Sequence, residues 1–207
     1  MTPYYEHAGI TIYHGDAREC LPGLAGDAIV TDPPYGVGEA YTSFPDTPEA
    51  VRALLWDCWP MMQRAAGLIA LTPGAKNVWW YPHPTWIVHW FAPAATAQGP
   101  WGFCGWNPML VYGPDPHKRK KQDYLIAQPV AERDGHPCQK PESAWRWLVG
   151  RVTTDRQTLI DPFMGSGTTL AVAKQLGQRA IGIEIEEKYC EIAALRLRQE
   201  ALPLEVA

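Results

Sequence analysis

Apolar residues in this chain fall into short runs that end at a polar residue, and longer stretches of helical period separate them. Ala28-Ile29-Val30 is continuously apolar and runs into Thr31-Asp32, which predicts a short strand buried on both faces. Gly67 to Leu71 repeats the pattern, with Thr72-Pro73-Gly74 as its exit turn. Leu159-Ile160 enters Asp161, and Ala180 to Ile185 carries Glu184 near its end. Ile10 to Tyr13 alternates and stops at His14-Gly15-Asp16, before a short helix leading to Cys20 and Leu21. From Pro48 to Met62 the positions Val51, Leu54, Leu55, Cys58, Trp59 and Met62 share one helical face. Pro60 is expected to kink or end that helix early. Pro141 opens another helix at a first-turn position, with Trp145, Leu148, Val149 and Val152 as its stripe. Gly167 to Leu176 is helical and ends at Gly177, and Glu186 to Glu200 forms a last helix.

Trp86 to Phe91 and Asn107 to Tyr112 read as strands joined by the Gly/Pro-rich stretch Gln98–Gly105, hence an antiparallel pair on one side of the sheet. Pro114 to Gly135 reads as a basic loop. The alternation of strands and helices predicts an α/β fold: a mostly parallel sheet with an antiparallel edge pair and helices on both faces. No repeat, low-complexity tract or linker divides the 207 residues, so one domain is expected over 1–207.

Composition narrows the picture. The formal net charge is −4, so the molecule as a whole is not a polycation. The charges are uneven: residues 115–156 carry nine Lys/Arg against six Asp/Glu, the one net-positive segment, and it contains His117-Lys118-Arg119-Lys120-Lys121. Such a run is either a solvated loop or, beside a site that modifies a base, a set of phosphate contacts. The five cysteines are scattered with no metal-knuckle or redox spacing, so reduced thiols and no metal are expected. No apolar run is long enough to span a bilayer, so a cytoplasmic protein away from membranes is expected. The ten tryptophans are read mainly as large core and interface side chains.

Two stretches carry candidate chemistry. Asp32-Pro33-Pro34-Tyr35 follows a strand, where ligands of open α/β sheets bind. It offers a carboxylate, a rigidly directed Pro33 carbonyl, and a flat ring. Pro34 has no N–H to compete for that carbonyl. Together these can hold a planar amino group by both N–H bonds while the ring stacks on its base; a plain strand–turn is the other reading. After Asp161, the segment Asp161-Pro162-Phe163-Met164-Gly165-Ser166-Gly167-Thr168-Thr169 joins a strand to a helix through two glycines. Glu184, seventeen residues beyond Gly167, closes the next strand and could accept both ribose hydroxyls of a nucleoside. Leu170 replaces the third glycine of the phosphate-binding pattern and no P-loop Lys is present. An adenosine ligand without phosphates therefore fits better than ATP or NAD.

The Asp161–Thr169 loop resembles the cofactor loop of the amino-group nucleic-acid methyltransferases, and Asp32 to Tyr35 resembles their catalytic motif. His136-Pro137-Cys138-Gln139-Lys140-Pro141 and Gly182-Ile183-Glu184-Ile185 also fit. The catalytic motif precedes the cofactor loop, as in the beta class. The resemblance is weakest from about Trp79 to Arg133. It implies a Rossmann-like fold and S-adenosylmethionine as cofactor. It also implies methylation of a flipped-out base in double-stranded DNA, of the restriction–modification kind. An Asp at the first motif position leans toward N6 of adenine and a Ser toward N4 of cytosine. N4-cytosine methylation and an inactive fold that only binds nucleic acid are the alternatives, and a homodimer stays open.

By resemblance, Asp32, Pro33, Pro34 and Tyr35 are catalytic. Asp161, Phe163, Gly165, Gly167 and Thr168 line the cofactor, Gln139 and Lys140 close over it, and Glu184 takes the ribose. Asp16 takes the adenine ring, or is only a helix N-cap. The alternative readings are Phe163 as a core residue and Lys140 as a helix-entry charge. Lys118, Arg119, Lys120 and Lys121 fall in a short target-recognition insert around 113–135. The loop Gly36 to Tyr41 is a lid over the target base or a surface loop.

Overall fold

In chain order the strands are β1 (Tyr5–His7), β2 (Ile10–His14), β3 (Ala28–Thr31), β4 (Leu68–Leu71), β5 (Trp86–Phe91), β6 (Gln98–Gly99), β7 (Gly102–Phe103), β8 (Trp106–Tyr112), β9 (Tyr124–Ile126), β10 (Thr158–Asp161) and β11 (Arg179–Glu184). The helices are α1 (Ala17–Cys20), α2 (Pro48–Ala65), α3 (Glu142–Val152), α4 (Thr168–Gln175) and α5 (Glu187–Arg198). The computed structural model describes residues 1–39, 41–93, 98–99, 101–118, 122–127 and 141–198. Among them no helix is long and apolar enough to cross a membrane.

One nine-stranded sheet has the order β1-β2-β11-β10-β3-β4-β8-β5-β9. The central five, β2, β11, β10, β3 and β4, are mutually parallel. In β3, β4 and β10 the apolar runs bury both faces. Ala28 and Val30 pack with α3, α4 and α5, while the intervening Ile29 packs with α1 and α2. Leu68 and Ala70 divide from Ile69 and Leu71 in the same way, as do Leu159 and Ile160. Two faces needing cover from an alternating side-chain direction explain why these strands read as unbroken hydrophobic runs.

The connection β10–α4–β11 winds over one face toward β2, whereas β3–α2–β4 winds over the other face in the opposite direction. The strand order therefore reverses between β10 and β3. At such a switch point the loops beyond the two carboxyl ends diverge and leave a crevice. Asp161 ends β10 and Asp32 follows β3, so the two candidate motifs stand on either side of that crevice. Thr31 Oγ1 donates to Asp161 Oδ1 across it at 2.6 Å.

The structure departs from sequence expectation in several places. Helix α2 passes through Pro60 and ends at Ala65. Pro60 is on the exposed side, one turn beyond the exposed Trp56. The Trp56 carbonyl that loses its donor can be hydrated there, so the proline does not force the helix to end. The antiparallel β5–β8 pair forms as expected, with Trp86 opposite Val111 and Phe91 opposite Trp106. It is not the sheet margin, however, because β9 pairs parallel to β5. That three-residue strand lies inside the stretch read as loop, and β1 was not read at all. Pro141 occupies the N-cap of α3 rather than its first turn.

Candidate active site

Asp32 is held by hydroxyls. Tyr35 Oη donates to Asp32 Oδ1 at 2.5 Å, and Thr72 Oγ1 donates to the same oxygen in a short hydrogen bond. The two hydroxyl oxygens are 3.4 Å apart. Thr72 directly follows β4, the strand beside β3, which brings it level with Asp32. Asn77 Nδ2 donates to the Tyr35 carbonyl at 2.8 Å. Tyr81 is buried in the same neighbourhood; burial pushes its hydroxyl well up, and Tyr35 and Asp32 add to the rise.

On the other side of the crevice the glycine loop folds onto β11. Met164 N donates to Ile183 O at 3.0 Å, and Gly165 N to Glu184 Oε2 at 3.0 Å. Gly167 takes a left-handed conformation (φ 78°) at the N-terminus of α4. A Cβ there would come 2.8 Å from the Ala193 Cβ of α5, so the glycine is required for both angle and space. Glu184 also accepts the Glu186 N–H at 2.8 Å through Oε1. Each carboxylate oxygen thus takes one backbone donor and retains a second acceptor site for a ligand hydroxyl. Burial nevertheless outweighs those bonds and pushes its carboxyl up to about 7. Burial likewise lifts Asp161 to about 6, against the hydrogen bonds it accepts from Thr169, Thr31 and Phe163 N. Trp145 Nε1 of α3 donates to Thr169 Oγ1 at 2.7 Å and so extends this network under the loop.

These groups share one cleft. Its walls include Asp32, Pro33, Pro34 and Tyr35 from one motif and Asp161, Phe163, Gly165, Thr168 and Glu184 from the other. Its lining includes six carboxylates (Asp16, Asp32, Glu39, Asp46, Asp161 and Glu184) and, among the described residues, no Lys, Arg or His. Such a lining disfavours a polyphosphate and suits a ligand bearing positive charge and hydroxyl donors. No group of three or more His, Cys, Asp or Glu among the described residues is placed to hold a metal ion.

Asp16 caps α1, accepting Arg18 N at 2.8 Å, and its carboxylate is also bridged by the Arg18 guanidinium at 2.6 Å. That pairing holds its carboxyl below the usual range. It nevertheless lines the cleft, beside Glu184, because Gly15 N donates to Glu184 O at 2.9 Å. N-cap and ligand contact are therefore compatible. The loop after Tyr35 is knotted by a residue the sequence did not single out. The buried Asp46 carboxylate accepts N–H bonds from Gly36, Val37 and Glu39 at 2.8–3.0 Å. Further on, Ser43 N donates to Glu186 Oε1 at 2.6 Å, tying the loop to the end of β11. Val37, Glu39, Tyr41 and Phe44 line the cleft, so this loop borders it together with Asp32 and the glycine loop.

Lys118 stands apart. It is exposed and lines a second, separate cleft with Leu68, Gly113 and Val152. Leu68 begins β4, so Lys118 is at the ends of the parallel strands remote from Asp32. Arg119, Lys120, Lys121, Gln139 and Lys140 lie outside the described residues. Thr72, Asn77 and Asp46 were missed because a lone hydroxyl, amide or carboxylate after a strand or in a Pro-rich loop has no periodic signature.

The family model for DNA methylases, the N6/N4 amino-methyltransferase family, matches residues 70–195. That is more than half of the chain, and the chain belongs to this family. Type II methyltransferase M.ScaI of Streptomyces caespitosus is 26% identical over 262 aligned positions, covering 98% of this chain and 86% of the relative. Among solved structures, the M1.HpyAVI–SAM complex has a TM-score of 0.71 at 22% identity and covers 92% of this chain and 100% of that one. The cytosine-N4-specific PvuII DNA methyltransferase has a TM-score of 0.74 at 14% identity, covering 97% and 90%. Both share the Rossmann-like fold described above. The family match begins within β4, after the Asp32 motif.

Proposed function

We propose that this chain transfers a methyl group from S-adenosylmethionine to the exocyclic amino group of a flipped-out base in duplex DNA, and that the base is adenine, at N6. The observation that carries the reading is the crevice at the strand-order reversal. There the hydroxyl-held Asp32 faces a phosphate-averse cleft ending in Glu184. The bound cofactor supplies an activated methyl group on a sulfonium. The residues of the chain must improve the acceptor, because the lone pair of a base amino group is delocalised into its ring.

Asp32 and the Pro33 carbonyl each accept one N–H of that amine. The nitrogen is drawn toward tetrahedral geometry and its lone pair turns toward the donor. Positive charge builds on nitrogen in the transition state, and the fixed carboxylate stabilises it more there than in the ground state. Proton loss follows transfer, so no separate general base is required. Tyr35 supplies the ring against which the extruded base stacks, worth ~1–3 kcal/mol. Glu184 takes the ribose hydroxyls, Asp16 the adenine, and Phe163, Gly165, Gly167 and Thr168 the remaining cofactor surface, with Gln139 and Lys140 closing over it.

Transfer of a radiolabelled methyl group to DNA, followed by nucleoside chromatography, tests the proposal. The expected product is N6-methyladenosine as the deoxynucleoside. A labelled N4-methylcytosine peak would reassign the base. Cofactor binding without transfer to any duplex would make the chain a binding module instead.

A further inference from the structure

We propose that Thr72 is a positioning residue of the reaction, acting through the Asp32 carboxylate, and that the connection from β4 to β5 is the second half of the catalytic site. The proposal rests on the methyl-transfer reading above and assigns the residues that aim its acceptor carboxylate.

The backbone of Thr72 is fixed before its side chain acts. Its N–H donates to Thr31 O at 3.2 Å, which carries the β3–β4 ladder one residue beyond the end of β4. Thr72 is 3% exposed, so its hydroxyl must find a protein partner. That partner is Asp32 Oδ1, the atom that also takes the Tyr35 hydroxyl. A carboxylate on a strand-end aspartate turns about two side-chain torsions. Two donors arriving on one oxygen from different strands fix both torsions, and with them the direction of the second oxygen.

The same connection also holds the other donor. Asn77 is buried and binds the Tyr35 carbonyl, and its own N–H donates to Gly74 O at 3.3 Å. Gly74, at φ 72°, lies against the Tyr35 ring: a Cβ there would be 3.4 Å from Cδ1. Thr72, Gly74 and Asn77 thus touch Asp32 or Tyr35 within six residues. A turn that only linked β4 to β5 would need none of these contacts. Aiming has large consequences in this chemistry, because both N–H bonds must be caught for the lone pair to turn. A misplacement of ~1 Å in a reacting group costs on the order of 100-fold in rate.

The test uses the full chain on a duplex that the wild type methylates. The single-turnover rate at saturating cofactor, the cofactor Kd and the thermal unfolding curve are measured together. Thr72→Val keeps shape and removes the hydroxyl. Its rate is expected to fall ~10–100-fold, with cofactor Kd unchanged within about twofold. Thr72→Ser is expected to stay within about threefold of wild type in rate. Tyr35→Phe combined with Thr72→Val should cost less than the product of the single losses, because both hydroxyls hold one atom. Thr72→Val at the wild-type rate overturns the role, and so does Thr72→Ser as slow as Thr72→Val. If Thr72→Val does not fold, Thr72→Ala against Thr72→Ser makes the same comparison: recovery with Ser supports the role and equal loss overturns it. Wild-type protein that methylates no duplex overturns the functional reading and this role with it, whereas an active wild type with an unaffected Thr72→Val overturns this role alone.

Discussion

Asp32 and Glu184 are both carboxylates at strand ends, yet their surroundings set them different tasks. Asp32 meets hydroxyl donors at the side of the cleft toward β4, and Glu184 meets backbone amides beneath the glycine loop. Asp32→Ala is expected to abolish methyl transfer and leave cofactor binding largely intact. Calorimetry that found lost cofactor affinity with normal turnover at saturation would reverse that assignment. Glu184→Ala is expected to weaken the cofactor at least tenfold, since each charged hydrogen bond lost costs roughly 1.5–3 kcal/mol.

The raised Glu184 carboxyl also gives a pH dependence. Burial lifts Glu184 from 4.5 to about 7, so between those values the folded, ligand-free chain holds a proton that the unfolded chain releases. Its contribution to stability is therefore greatest below pH 4.5 and is lost as pH rises through about 7, by roughly 3 kcal/mol in all. Ligand hydroxyls need the ionised form, so cofactor affinity should rise with pH through the same region, by up to about tenfold per unit. Glu184→Gln should flatten both trends. Urea midpoints and cofactor Kd at pH 5.5, 6.5 and 7.5 would check this, and an unchanged slope in the variant would place the titrating group elsewhere.

At the scale of elements, the parallel centre of the sheet was legible because two-sided burial leaves a plain mark: an apolar run of two to four residues that stops at Thr31, Thr72 or Asp161. The β5–β8 pair was legible for a related reason, with β-favouring residues bracketed by Gly and Pro. The strands β1 and β9 were not, since three residues at a sheet margin gain most of their stability from backbone pairing, which side-chain pattern does not record. Pro60 does not end α2 early; the sequence shows the missing N–H and not the side of the helix on which it falls. That explanation can be tested. If the Trp56 carbonyl is merely hydrated, Pro60→Ala restores a helix hydrogen bond and should stabilise the chain by about 1–3 kcal/mol. A lower urea midpoint would mean that Pro60 makes contacts the helix needs. Gly167→Ala is expected to act the other way, because φ 78° and the 2.8 Å approach to Ala193 both oppose a Cβ. Strain of ~1–3 kcal/mol should lower Tm by several degrees. Cofactor affinity should fall with it, since α4 and α5 must part.

Across the whole molecule, charge is distributed by task. The cleft is acidic, the chain carries −4, and the basic excess is confined to residues 115–156. A duplex is therefore repelled by most of the protein and needs a local source of attraction. The run Lys118-Arg119-Lys120-Lys121 is the clustered candidate, and it is proposed to contact phosphates without choosing their sequence. Lys118 makes the test sharper. It lines the same cleft as Leu68 at the start of β4, and four residues of strand, ~13 Å, separate the level of Leu68 from Thr72 and Asp32. A duplex that contacts both Asp32 and Lys118 must therefore span about that distance. Tyr124 of β9 pairs with His89 midway along β5. Neutralising Lys120 and Lys121 together should weaken every duplex by a similar factor. It should flatten the log–log salt dependence by about 0.9 per lost contact, with methylation-site preference unchanged because that comes from base edges. Lys118→Gln with Arg119→Gln should do the same if the duplex extends that far. Binding curves at several salt concentrations, on target and non-target duplexes, decide between the pairs. Flattening by only the Lys120/Lys121 pair confines the contact to those two residues, and an unaltered slope for both pairs makes the run a solvated loop.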